Sequence, residues 1–196
     1  MSRRVVLAST SRYRAQLLER IGLDFESCAP KYDEHNDPAL HPHELVRLQA
    51  EGKARSLRGD RPDAVIIGSD QVAHLDGDIL TKPGSHEQAV AQLARLAGRE
   101  HELATAVVVL DARSGDERWH LDRSRIAIRS LSAEEIDRYL RHDRPYDCAG
   151  SYKAESAGPA IFDHQRGDDP TAVIGLPLIA VCRMLRELGV DPLGCA

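Results

Sequence analysis

The chain has 196 residues, of which 42% are hydrophobic and 29% charged, a composition typical of a globular protein with one large domain or two small lobes. Its formal net charge of -5 argues against broad binding to nucleic acids or anionic membranes, so an anionic ligand needs a local cluster of cations. The first apolar run, Val5–Ala8, is too short for a signal-peptide core, and no run approaches a membrane span, so we expect a cytoplasmic protein.

The N-terminal part predicts two strand–helix pairs. Val5–Ala8 is apolar, and Ser9–Ser11 supplies capping side chains for a helix that Gly22 ends. The elements expected over this part are a strand at 5–8, a helix at 12–21, a strand at 25–30, a loop at 35–43 and a helix at 44–57.

The rest of the chain continues the alternation of strands and helices. Ala64–Ile67 is the clearest buried strand, which we expect Gly68-Ser69-Asp70 to close, and Asp76-Gly77 predicts a hairpin turn. Capping boxes are predicted at Ser85 with Gln88 and at Ser132 with Glu135, each opening a helix. The remaining expected elements are strands at 103–110, 119–128, 146–150, 160–162 and 172–174, and a last helix from Pro177 to a stop at Gly189. This order predicts an α/β fold.

Lysine is scarce, since only four of the 26 cationic residues are lysines. A compact ammonium suits a phosphate oxygen, and Lys53 and Lys82 flank Asp70 in the sequence. Asp70, with the pair Asp33-Glu34, could hold a divalent cation or position a water molecule. The alternative is a turn-forming aspartate among solvated charges. Together these residues predict a metal-dependent phosphate site.

Two further segments are candidates for substrate contacts. Ser9 to Arg14, which includes Ser11, places hydroxyls and arginines at a helix N-terminus, where a phosphate could bind; an ordinary helix cap is the alternative. Residues 148–155, with Lys153 and Glu155, could form a pocket wall. We expect the histidines at 35, 41 and 43 to be solvated, and the cysteines at 28, 148, 182 and 195 to be reduced thiols.

Five motifs, in order along nearly the whole chain, resemble those of the Maf family. They are Leu7–Arg14, Ile66–Val72 (IIGSDQV), Thr81–Pro83 (TKP), Cys148–Glu155 (CAGSYKAE) and Ile174–Leu178 (IGLPL). The resemblance implies one Maf/ITPase-like domain over 1–196, an elongated α/β fold with a central mixed sheet, flanking helices and a cleft between two lobes. It also implies a nucleoside triphosphate pyrophosphatase that cleaves between the α- and β-phosphates with Mg²⁺ or Mn²⁺, and a possible homodimer. The family was first linked to inhibition of septum formation.

The resemblance also implies roles for single residues. Asp70 matches the family's catalytic aspartate, which accepts a proton from the attacking water, and Glu34 would hold the cation with it. Lys53 and Lys82 would offset the charge that develops on the phosphates. With Ser11 and Lys153 added from the patterns above, the expected substrate-binding residues are Ser9, Ser11, Tyr13, Arg14, Gln71, Lys153 and Glu155.

Tyr13, Gln71 and Glu155 resemble the branch of the family that hydrolyses 7-methyl-GTP, since the dTTP/UTP branch typically has an arginine, a threonine and a glutamine there. Methylation at N7 gives guanine a positive charge, which favours stacking on the Tyr13 ring. The guanine N1–H and exocyclic amine are both donors, which a carboxylate such as Glu155 can accept as a pair.

Two other functions stay open. The same reaction could act on pyrimidine or other unmodified triphosphates, which substitution of Glu155 would reveal. The chain could also be a non-catalytic, nucleotide-binding regulator of septum formation, although a pure binder has no need of a water-activating carboxylate such as Asp70.

Overall fold

The computed structural model describes residues 3–34, 37 and 39–194. The strands in this part of the chain are β1 (Val5–Ala8), β2 (Glu26–Cys28), β3 (Val65–Leu75), β4 (Asp78–Leu80), β5 (Glu100–Asp111), β6 (Glu117–Ile128) and β7 (Phe162–Arg166). The α-helices are α1 (Arg12–Arg20), α2 (Pro42–Ser56), α3 (His86–Leu96), α4 (Ala133–Asp143) and α5 (Leu178–Glu187).

The strands form a mixed sheet, which confirms the predicted α/β class. The strand order is β2-β1-β3-β5-β6-β7, and β4 pairs with β3 outside this path. β1 runs parallel to β2 and β3, whereas the β3–β4 and β6–β7 pairs are antiparallel. None of the helices in the described residues is long and apolar enough to cross a membrane.

The chain divides into two compact units. Unit 1 comprises the described residues of Met1–Gln71, Thr105–Asp122 and Asp169–Ala196, and unit 2 comprises Val72–Ala104 and Arg123–Asp168. The single domain over 1–196 stays a prediction.

Unit 1 has an apolar core around β1 and the first part of β3. All four residues of β1 are buried, as expected for a parallel strand covered on both faces. Helix α1 contributes Leu17 and Leu18, and helix α5 contributes Val181 and Leu185. These helices therefore fix the end of β1, and with it the Ser9–Arg14 segment that follows.

Two glycines allow helix α2 to pack closely. A Cβ atom on Gly68 of β3 would lie 2.2 Å from the Ala50 carbonyl oxygen of α2, and one on Gly52 would lie 2.2 Å from the Tyr32 ring. Real Cβ atoms do not approach so closely, so Gly68 must be glycine against the backbone of α2, whereas a larger residue at Gly52 would require the Tyr32 ring to move. The helix thus lies directly against β3, which places its residue Lys53 beside the strand.

In unit 2, side-chain caps begin helices α3 and α4. Ser85 Oγ accepts from the Gln88 N–H, whereas Ser132 and Glu135 make both hydrogen bonds of a capping box, as predicted. The Asp76-Gly77 hairpin is also confirmed, since both residues have positive φ between β3 and β4.

The structure corrects several predicted elements. The segment 146–150 is a series of turns, because Gly150 (φ 83°) and Ser151 (φ 59°) are left-handed, which ends extended structure. The segments predicted as strands at 160–162 and 172–174 fall largely in 3₁₀ helices, Gly158–Ile161 and Ala172–Ile174. Helix α2 begins earlier than expected, at Pro42, with His41 as its cap.

The structure describes some, but not all, of the histidines and cysteines for which roles were predicted. His41 Nδ1 accepts from the His43 N–H at 3.2 Å, which is a capping contact. Cys28, Cys148 and Cys182 are free cysteines. His35 and Cys195 lie outside the described residues.

Candidate active site

Strand β3 carries the central polar residues, and its alternation sends them to opposite faces. Asp70 was expected beyond the end of a strand, but β3 runs on through it to Leu75. The strand continues because its last residues, Ala73–Leu75, pair with β4. Ser69 and Gln71 make side-chain hydrogen bonds on one face, whereas Asp70 accepts from Lys53 of α2. Successive side chains of a strand point to opposite faces, so this division follows from the backbone.

Lys53 joins two carboxylates. Its Nζ donates to Asp70 Oδ1 at 2.6 Å and lies 2.5 Å from Glu34 Oε1. The lysine side chain is only 6% exposed, and those of Asp70 and Glu34 are 14% and 58% exposed. The site thus has a partly buried carboxylate beside an ammonium, together with a second carboxylate that reaches solvent.

Arg14 adds a second cation to this group. Burial lowers the pKa of its guanidinium, and the negative charges of Asp70 and Glu34 oppose that shift. Its Nε donates to the Gly175 carbonyl at 2.9 Å, and its Nη1 donates to Ser9 Oγ at 3.3 Å. Ser9 is itself buried and accepts from the Ser11 N–H at 3.1 Å. The structure therefore brings Ser9, Arg14, Glu34, Lys53 and Asp70 together in unit 1.

Ser11 and Tyr13 lie at the start of helix α1. Ser11 is the N-cap, and its Oγ accepts from the Arg14 N–H at 3.5 Å, so the helix-cap alternative holds for this residue. Arg12 Nη2 donates to the Tyr13 hydroxyl at 2.8 Å, and its guanidinium carbon lies 4.8 Å from the centre of the Tyr13 ring. The ring of Tyr13 thus already attracts one cation.

Gln71 has a fixed amide orientation. Its Nε2 lies 2.9 Å from the Ala172 carbonyl oxygen, 3.2 Å from that of Val173 and 2.9 Å from Thr105 Oγ1. Because carbonyl oxygens only accept, the amide nitrogen must face them, which leaves the Gln71 Oε1 pointing away. That oxygen makes no hydrogen bond to a residue that the structure describes, so it can accept one from a ligand.

Residues that no sequence pattern indicated support this group. Ser69 Oγ donates to the Ala106 and Gly175 carbonyls at 2.9 and 3.0 Å, so Gly175 holds both Ser69 and Arg14. Asp169 and Thr171 accept from the first N–H groups of α5, where Pro177 offers no side-chain cap. The signal that could have indicated Ser69 is its period-two spacing from Gln71.

The remaining predicted residues lie in unit 2 and have different surroundings. Lys82 and Glu155 are exposed, and neither makes a hydrogen bond or ion pair within the described part of the chain. Lys153 Nζ donates to the Asp143 carbonyl at 2.8 Å, and it lies 3.5 Å from that of Arg144, at the end of α4. Its ammonium is therefore engaged by the protein itself.

The comparison with known proteins agrees with the motifs. A family described as Maf-like protein matches residues 4–188. A protein of Albidiferax ferrireducens named 7-methyl-GTP pyrophosphatase is 44% identical, over 99% of this chain and 98% of its own length. Proteins with the same name from Polaromonas sp. and Xanthomonas campestris are 48% and 47% identical, each over 96% of this chain and over 86% and 98% of their own lengths.

Proposed function

Since the chain belongs to the Maf family, we propose that it is a nucleoside triphosphate pyrophosphatase whose substrate is 7-methyl-GTP. The products are 7-methyl-GMP and diphosphate, so the enzyme is a hydrolase of acid anhydrides that removes a modified nucleotide. The names of relatives at 44–48% identity support the substrate. The reaction fits a cytoplasmic enzyme, because nucleoside triphosphates are found in the cytoplasm.

The proposed reaction rests on the position of the Lys53 ammonium, which lies between the Asp70 and Glu34 carboxylates. Asp70 Oδ2 accepts a proton from water as the water oxygen bonds to the α-phosphorus, and the bond from that phosphorus to the bridging oxygen breaks. Diphosphate leaves with the electron pair of that bond. Lys53 and Arg14 stabilise the negative charge that develops on the phosphate oxygens, and Lys82 is assigned the same role by the family resemblance.

The donor set also fits a divalent cation. The Glu34 and Asp70 oxygens converge on one nitrogen within 2.6 Å, so both can face the same positive charge. Carboxylate oxygens suit Mg²⁺ or Mn²⁺, and Glu34 and Asp70 are the residues that would hold such an ion. When bound, the cation would neutralise phosphate charge and orient the triphosphate.

Base recognition is assigned to Tyr13, Gln71 and Glu155. The Tyr13 ring already attracts the Arg12 cation, and the positive charge of 7-methylguanine can use the same electron-rich ring. The free carbonyl oxygen of Gln71 and the exposed carboxylate of Glu155 both accept hydrogen bonds, as the guanine donors require.

Replacing Glu155 by glutamine tests this assignment. The amide replaces one acceptor oxygen by a donor, so the paired N1–H and amine of guanine lose one hydrogen bond to a charged group. We expect kcat/KM for 7-methyl-GTP to fall by about 10-fold to 100-fold relative to that for UTP, measured as diphosphate release.

The matched control is Glu134→Gln, which changes an exposed glutamate in the first turn of α4. It should leave the ratio of the two kcat/KM values as in the wild type. An unchanged ratio in Glu155→Gln would remove Glu155 from base recognition.

A further inference from the structure

The residues around Glu155 form a compact turn. The Lys153 carbonyl accepts from the Ser156 N–H at 3.2 Å and from the Gly158 N–H at 2.9 Å. A Cβ atom on Gly158 would lie 2.4 Å from that carbonyl oxygen, so the turn can close only with glycine there. Glu155 therefore lies in a turn of defined shape.

The turn is fastened to the end of helix α4 by Lys153. The helix ends at Asp143 and is capped by Arg144, whose φ of 47° is left-handed and whose N–H donates to the Leu140 carbonyl. The last carbonyls of a helix lack intrahelical donors and carry partial negative charge, which favours a cation. Lys153 Nζ donates a hydrogen bond to the Asp143 carbonyl, so its positive charge lies at the negative end of the helix dipole.

A second attachment runs through the buried carboxylate of Asp143. Its Oδ1 accepts from Ser156 Oγ at 2.7 Å, and its Oδ2 accepts from the Tyr139 hydroxyl at 2.8 Å. The same hydroxyl accepts from the Lys153 N–H at 3.1 Å. Burial raises the pKa of Tyr139, so the hydroxyl keeps the proton that it donates to Asp143. The residues on both sides of Glu155 are thus hydrogen-bonded to one buried network.

We propose that Asp143 is a positioning residue. Together with Tyr139, Lys153 and Ser156, it orients Glu155 for the nucleobase. The inference rests on the proposed function, in which Glu155 accepts hydrogen bonds from guanine. It gives Lys153 a role different from direct contact with the triphosphate. A phosphate ligand would affect every triphosphate alike, whereas a group that acts through Glu155 affects only substrates whose base Glu155 contacts.

A double-mutant cycle with Ser156→Ala and Glu155→Gln tests the proposal. Ser156 is exposed, so loss of its hydroxyl should leave the fold intact, as a melting curve would verify. We expect Ser156→Ala to lower kcat/KM for 7-methyl-GTP about fivefold, mainly through KM, with kcat/KM for UTP unchanged. In the Glu155→Gln background the same substitution should have no further effect. Ser156→Thr, which keeps the hydroxyl, should behave like the wild type.

Three results would overturn the positioning role alone. They are no loss in Ser156→Ala, an equal loss for 7-methyl-GTP and UTP, and a fivefold loss that persists when Glu155 is already glutamine. If Glu155→Gln itself left the preference for 7-methyl-GTP unchanged, the proposed base recognition would fail, and the positioning role would fail with it.

Discussion

Replacement of Asp70 by asparagine is expected to lower kcat for 7-methyl-GTP by about 100-fold to 10,000-fold, which is the range that a general base contributes. Asparagine has the same shape but cannot accept the proton of the attacking water. Its Oδ1 can still accept the hydrogen bond from Lys53, and Glu34 remains as an ionic partner of that lysine. We therefore expect a folded protein that binds nucleotide and does not turn it over.

The measurement is diphosphate release at saturating substrate, together with nucleotide binding by calorimetry. Asp63→Asn is the matched control, because Asp63 is an exposed aspartate of unit 1 that pairs only at the surface with Arg113. Its kcat should equal that of the wild type. Normal turnover by Asp70→Asn would eliminate Asp70 as the base and with it the mechanism.

Replacement of Lys53 by methionine is expected to have the second-largest effect, a loss of about 100-fold to 1,000-fold in kcat, comparable to the removal of one charge-stabilising donor elsewhere. Methionine has a similar length but no charge, so phosphate charge in the transition state loses a cation. It also leaves the Asp70 side chain, which is only 14% exposed, without the ammonium at 2.6 Å. Removing one partner of such a pair destabilises a fold, so Tm should fall as well.

Lys31→Met separates these effects from the general loss of a lysine, since Lys31 is 67% exposed and pairs with Asp60 at the surface. We expect wild-type kcat and a nearly unchanged Tm for this control. A Lys53→Met protein that lost stability but kept its kcat would restrict Lys53 to a structural role.

The sequence was sufficient to predict an element of the fold where several local signals agree. The capping box at Ser132, the hairpin at Asp76-Gly77 and the apolar strand at Val5–Ala8 depend on neighbouring residues only, and each is confirmed. The α/β class followed from their order. The grouping of Lys53 with Asp70 and Glu34 was also predicted, first from the scarce lysines near candidate carboxylates and then from the family resemblance.

Other features depend on contacts that the sequence does not display. Asp70 looked like the residue after a strand, since Gly68 interrupts the apolar run, but Gly68 instead lets α2 approach β3. The segment 146–150 has strand-like residues, yet the left-handed Gly150 and Ser151 turn it. Lys153 was expected to bind substrate as part of a pocket wall, which stays a prediction, and only the folded chain shows that its ammonium donates to the Asp143 carbonyl.

The most direct test of the account is diphosphate release by the purified wild-type protein from 7-methyl-GTP, GTP, dTTP, UTP and CTP, with Mg²⁺ and then with Mn²⁺. We expect 7-methyl-GTP to be cleaved with the highest kcat/KM and 7-methyl-GMP to appear in equal amount to diphosphate. Preferential cleavage of dTTP or UTP would keep Asp70 and discard the roles of Tyr13, Gln71 and Glu155. Cleavage of no triphosphate with either metal would contradict the enzymatic function itself.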